Sequence, residues 1–117
     1  MTAQSTDARL LDGMELDYTY SGGGRVIASF YSGRAKYRWL SGPFEGVEEK
    51  DLPYLSKEIG PERYVINWHD VDNSNFVTLI VDLAEKTLHS SALLYYGTEK
   101  EVTSFDDAVI DSIRRTA

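Results

Sequence analysis

The chain has 117 residues, with 19 acidic against 12 basic side chains for a formal net charge of -7, and no cysteine. That length can enclose one hydrophobic core without cross-links, and the missing cysteines exclude disulfides, thiolate metal sites and a cysteine nucleophile. Basic residues are scattered apart from Arg114-Arg115, which argues against nucleic-acid binding, and no apolar run approaches the ~20 residues of a membrane span.

Residues 1–9 are polar and read as a flexible lead-in, neither signal peptide nor membrane anchor. A cytoplasmic location is therefore expected, with residues 10–117 as a single domain. From Met14 the pattern is two-fold: Met14, Leu16, Tyr18 and Tyr20 alternate with Glu15, Asp17 and Thr19, as in a half-buried strand. Ser21-Gly22-Gly23-Gly24 supplies the turn of a hairpin. Arg25–Tyr31 is its return strand, Ser32-Gly33 a second tight turn, and Arg34–Leu40 a third strand with Ala35, Tyr37 and Trp39 on one face.

Ser41–Gly46 reads as a longer turn. Glu48–Glu58 reads as an exposed strand interrupted near Pro53, whose missing N–H suggests an edge or a bulge; such an edge could mediate a homodimer. After the Gly60-Pro61 break, Arg63–Trp68 carries Tyr64, Ile66 and Trp68 on one face, and parity adds Asp70 to it. Asp72–Asn75 is turn chemistry. Phe76–Leu83 and Thr87–Tyr95 are strong strands, and Glu99–Ser104 a further short one. The end changes period: Ser104 suits a helix cap, Asp106 and Asp107 its first turn, and Arg114 and Arg115 its last. Phe105, Val109, Ile110 and Ile113 would form its apolar stripe.

Seven or eight short strands with turns at about 8–12-residue spacing predict an all-β sandwich or antiparallel barrel, closed by a short C-terminal helix. An eight-stranded barrel has an interior just wide enough for one small ligand.

Tyr18 and Tyr20 share a strand face, so their hydroxyls could converge on one bound group, or could be packed core phenols bonded to backbone. Tyr37 with Trp39, and Tyr64 with Trp68, repeat the arrangement and could wall a pocket for a flat aromatic molecule or fill the core. Asp70 beside that face could act as an acid or base, or open a turn. By alternation His69 is exposed, and His89 is a candidate for the interior and the ligand. Two histidines without tight spacing predict no metal. No nucleotide-loop, zinc-protease or nucleophile-elbow motif occurs, so no cofactor is expected, and Ser41 has no histidine near it in sequence for a hydrolytic triad.

Leu16-Asp17-Tyr18-Thr19-Tyr20, the run from Tyr37 to Gly46, Asn67-Trp68-His69-Asp70 and Leu88-His89 together resemble the MoaF-like proteins (molybdenum cofactor biosynthesis protein F) and the related phenolic acid decarboxylases. The resemblance spans about Leu11 to Tyr96. It implies a small lipocalin-like, or calycin-like, up-and-down barrel of about eight strands. In the decarboxylases two tyrosines and an arginine hold a hydroxycinnamate, and a glutamate transfers the protons that permit loss of CO2. The matching tyrosines are Tyr18 and Tyr20. Val47 stands where the arginine falls, and Asp70 replaces the glutamate. A valine supplies neither charge nor a bidentate fork. Three readings result. The first is a binder of a small aromatic or phenolic ligand, lined by Tyr18, Tyr20, Tyr37, Trp39, Val47, Tyr64, Trp68 and His89. The second is a lyase or isomerase with Asp70 as acid or base and the Tyr18/Tyr20 pair as hydrogen-bond donors. The third is a non-catalytic assembly domain.

Overall fold

The inside–outside alternation read in the sequence recurs in eight strands that close into a cylinder. A computed structural model describes residues 9–115. Its strands are β1 (Met14–Tyr20), β2 (Arg25–Tyr31), β3 (Arg34–Trp39), β4 (Glu48–Gly60), β5 (Arg63–Asp70), β6 (Asn75–Asp82), β7 (Thr87–Leu94) and β8 (Val102–Arg115). Each pairs antiparallel with the next and β8 returns to β1, giving a closed eight-stranded up-and-down barrel. Apart from a 3-10 turn at Val71–Asn73 and 3-10 geometry at Arg9 the described residues contain no helix, and none is long and apolar enough to cross a membrane. The lead-in assigned to residues 1–9 lies outside the described residues except for Arg9, whose carbonyl accepts a bond from the Asp12 N–H.

The expected C-terminal helix is instead β8. Its inward residues Ala108 and Ile110 are buried, at 4% and 2% exposure, while Phe105 and Val109 face outward at 85% and 60%. The local helix signals around Ser104–Asp107 lose to two neighbours. Without β8, the facing N–H and C=O groups of β1 and β7 would lack ladder partners. β-Branched Val109, Ile110 and Ile113 also suit a strand better than a helix. A bulge sets Asp111 between the pairs Asp17–Ser112 and Tyr18–Ile110, and Thr19 Oγ1 donates to its Oδ2 at 2.7 Å. That extra residue disturbs the two-fold period in the sequence.

β4 is hydrogen-bonded on both sides, so it presents no free edge. Pro53 pairs with Arg34 inside the ladder; the bulge lies two residues earlier, at Asp51, which has φ of +58°. The Tyr31 hydroxyl holds it there, donating to Asp51 Oδ1 at 2.7 Å and accepting the Asp51 N–H at 3.0 Å. Such bulges bend long strands around a barrel.

The two ends of the cylinder differ. Near the β2–β3, β4–β5 and β6–β7 turns the interior is solid, with Leu11, Leu16, Phe30, Ile66, Leu79 and Leu88 fully buried. Arg9–Gly13 closes this floor: the Leu10 N–H donates to Ser56 Oγ at 3.0 Å, and Asp12 Oδ1 accepts from the Tyr54 hydroxyl at 2.7 Å and the Gly33 N–H at 2.9 Å. On the outer face, Arg25 grips Asp17 through Nε at 2.8 Å and Nη2 at 2.6 Å. This bidentate pair holds the Asp17 carboxyl below its ordinary range.

Two outcomes are expected. Ile110→Ala should lower unfolding stability by about 2–5 kcal/mol, while Val109→Ala changes it by no more than ~0.5 kcal/mol, as read by urea denaturation. Similar losses at both positions would restore the helical stripe. Because the folded-state pKa of Asp17 is depressed, its contribution is present above the unfolded carboxylate range and fades as pH falls through the folded value. The melting-temperature gap between wild type and Asp17→Asn should therefore be open at pH 7 and close below about pH 4. A gap unchanged at low pH would exclude this linkage.

Candidate functional site: an aromatic cavity at the open end

Above the solid floor the barrel opens into a cavity of about 250 Å³. Its mouth is formed by the β1–β2 turn, the β3–β4 loop carrying Pro43, Phe44 and Val47, and the segment after β7 carrying Tyr95. The walls are inward residues of seven strands, with Ser104 and Asp106 contributed by β8. Tyr18, Tyr20, Val26, Tyr37 and Trp39 form the β1–β3 side, with Trp68 beside them on β5. Val77, Leu79, Ser90, Ala92 and Leu94 form the β6–β7 side. The aromatics stack on one another: Tyr20 on Trp39 at 5.5 Å and 20°, Tyr37 on Trp68 at 6.0 Å and 23°, with Tyr18 edge-on to Tyr20 at 5.5 Å. Phe44 leans over Trp39 at 5.1 Å between ring centres.

Two glycines hold this wall against the mouth. A Cβ on Gly24 (φ +107°) would lie 2.6 Å from the Trp39 ring, and one on Gly42 would lie 2.6 Å from the Gly24 Cα. The β3–β4 loop thus meets the β1–β2 turn backbone to backbone. The Trp39 N–H donates to the Val47 carbonyl at 2.9 Å and the Gly46 N–H to the Trp39 carbonyl at 2.9 Å, which seats Phe44 and Val47 at the lip.

The polar groups of the cavity are hydroxyls, the Trp39 and Trp68 indoles, the Asn75 amide, whose Oδ1 accepts the Tyr95 N–H at 3.0 Å, and the Asp106 carboxylate. Burial pushes the Tyr18 phenol well up, and the neighbouring Tyr20 adds to it. Burial also raises Tyr20, opposed by hydrogen bonding with Ser90 and Tyr18, and raises Tyr37, with the charges of Asp70 and Glu49 contributing. All three phenols stay protonated at neutral pH, so they can donate hydrogen bonds and cannot act as phenolate bases. The Trp68 N–H is buried with no hydrogen-bond partner. Asp106 lines the rim, its Oδ2 accepting the Gly22 N–H at 3.1 Å.

Of the side chains singled out in the sequence, the fold brings Tyr18, Tyr20, Tyr37, Trp39, Val47 and Trp68 to this one cavity. Three lie elsewhere. Asp70 is buried but does not line it: Oδ1 accepts the Asn73 N–H at 3.3 Å and Oδ2 accepts Asn73 Nδ2 at 2.8 Å, so the carboxylate opens the 3-10 turn. Tyr64 packs against the core toward the floor, past Ile66 from Trp68. His89 points outward, contrary to an interior placement, and its Nδ1 lies 2.7 Å from Asp107 Oδ1. Parity carries the reason: with Leu88 and Ala92 buried, Ser90 is the inward neighbour. His69 is exposed, bonded to the Tyr96 hydroxyl at the surface. Sequence reasoning missed Phe44, Ser90, Tyr95 and Asp106, the last hidden by the helical reading of its segment. Among the described residues no group of three or more His, Cys, Asp or Glu could hold a metal.

Replacing Asp70 by alanine should cost stability of about 1 kcal/mol through the lost turn-capping bonds, with no change in access to the cavity. Urea denaturation beside quenching of Trp39 and Trp68 by acrylamide reads both quantities, and a stability-neutral Asp70→Ala would remove the capping role.

A crystal structure of a Burkholderia vietnamiensis protein described as a candidate beta-lactamase superposes with a TM-score of 0.74, covering 98% of this chain and 100% of that one at 17% sequence identity. At that identity the likeness establishes the shared barrel fold. No curated protein matches the sequence. The MoaF-like family matches residues 12–104, from the floor segment to the start of β8. The chain therefore belongs to the MoaF-like family.

Proposed function

We propose that the barrel is a binding domain for one small, ring-bearing molecule. The observation that carries this reading is the open, aromatic-walled cavity of about 250 Å³. An apolar cavity of roughly 150 Å³ accommodates a single benzene, so this one suits a ring with a short substituent. Stacking on Trp39, Tyr20 and Trp68 supplies contact area, and the Tyr18, Tyr20 and Ser90 hydroxyls with the unpartnered Trp68 N–H supply orientation.

Catalysis has less behind it. A lyase mechanism through Asp70 asks for a carboxylate facing the substrate, and both oxygens of Asp70 are bonded to Asn73 outside the cavity lining. A hydroxycinnamate clamp asks for a cation, and Val47 stands at the lip. Lactam hydrolysis, suggested by the description of the Burkholderia protein, asks for an activated serine. Ser90 neighbours Tyr20, and among the described residues no lysine or histidine lines the cavity.

Titration of tryptophan fluorescence with single-ring alcohols, aldehydes, amines and acids tests the reading. Saturable quenching is expected, and Ala92→Phe, which projects a ring into the open space, should weaken it by at least about tenfold while the chain stays folded. If no compound perturbs the tryptophans, or if Ala92→Phe binds as well as wild type, the cavity is not a binding site.

A further inference from the structure

The charge around the cavity has one sign. Among its described lining residues Asp106 is the only side chain charged at neutral pH, and no lysine, arginine or histidine is present. Asp106 accepts from the Gly22 N–H, from Ser21 Oγ at 3.3 Å and from the Asp107 N–H at 2.8 Å. These donors are neutral and leave the full negative charge in place. A carboxylate offers about four acceptor sites, so one remains for a ligand. Its field reaches the Tyr20 phenol, and those of Asp70 and Glu49 reach Tyr37. The nearest wall is aromatic: Tyr20 stacks on Trp39, and Trp39 meets Phe44. Aromatic faces carry the negative end of the ring quadrupole.

These features act in the same direction on an incoming charge. A ligand carboxylate would give up its hydration with no cation to meet it and would face Asp106. An ammonium would find a carboxylate and several ring faces. Building on the binding reading above, we infer that the cavity selects a small organic cation, a protonated or quaternary amine on a ring or short chain, over a carboxylate of the same size. Its charged end sits at the rim between Asp106 and the Tyr20–Trp39–Phe44 faces. The Trp68 N–H, deeper in the wall, favours an acceptor atom at the other end.

Three probes of closely matched size decide the matter by fluorescence titration and calorimetry at one ionic strength: benzylammonium, benzyl alcohol and benzoate. The ammonium should bind at least about tenfold more tightly than the alcohol, and benzoate more weakly than either. Asp106→Asn should remove most of the ammonium preference, bringing the ammonium and benzyl alcohol affinities to within about threefold of each other. Asp107→Asn alters net charge equally but lies beside His89 on the outer face, and it should keep the preference. Benzoate binding as tightly as the ammonium overturns the inference, as does a preference that survives Asp106→Asn or is lost equally in Asp107→Asn; in each case the binding reading stands. If none of the three probes binds, the binding reading falls and the inference with it.

Discussion

The pairing of β8 with β1 is the contact on which the rest depends. Seven antiparallel hairpin steps could be laid out as an open sheet; the last ladder turns that sheet into a container with an inside. It also overrides local preference. The segment from Ser104 to Arg115 carries a capping serine, acids early and arginines late, and would be assigned to a helix on its own. Two strands with unpaired backbone on either side outweigh those preferences of a fraction of a kcal/mol per residue. The Asp111 bulge lets the closing strand follow the curvature while Ala108 and Ile110 still reach the core.

The sequence conveyed the strands where two-fold alternation was clean and turn residues were unambiguous. Met14–Tyr20, Arg25–Tyr31 and the tight turns at Gly22–Gly24 and Ser32-Gly33 follow the reading closely. It failed where one residue breaks the period, as at Asp111, and where a pair of neighbours had to be assigned to opposite faces, as at His89 and Ser90. Five of the expected wall residues, Tyr18, Tyr20, Tyr37, Trp39 and Trp68, share the cavity because parity is a local property that closure preserves, while Val47 reaches it from the β3–β4 loop. Asp70 also obeyed parity and is buried, yet Asn73 draws its carboxylate into a turn; that choice depends on side-chain partners rather than on alternation.

The cavity owes its existence to an imbalance between walls. The large rings come from alternate strands, Tyr18 and Tyr20 on β1, Tyr37 and Trp39 on β3 and Trp68 on β5, and they meet one another in the stacked pairs Tyr20–Trp39 and Tyr37–Trp68. The β6–β7 stretch offers Val77, Ser90 and Ala92, too small to fill the space. Small barrels often fill their interiors by setting large residues against small ones; here the large residues pair with one another. The same arrangement sets polar atoms at definite places in the lining, among them the Tyr18, Tyr20 and Ser90 hydroxyls, the unpartnered Trp68 N–H and the Asp106 carboxylate at the rim.

The solid floor beneath this space has a kinetic consequence. With Leu11 and Phe30 filling the base and Asp12 tying Tyr54 to the β2–β3 turn, the described part of the barrel is a blind well, not a conduit. Any molecule that enters does so past Phe44 and Tyr95, displaces resident water through the same aperture, and leaves by reversing that route. Arrival and departure then share one gate, so changes at the lip should alter both rates together, and a bulky second ligand cannot push the first out from behind.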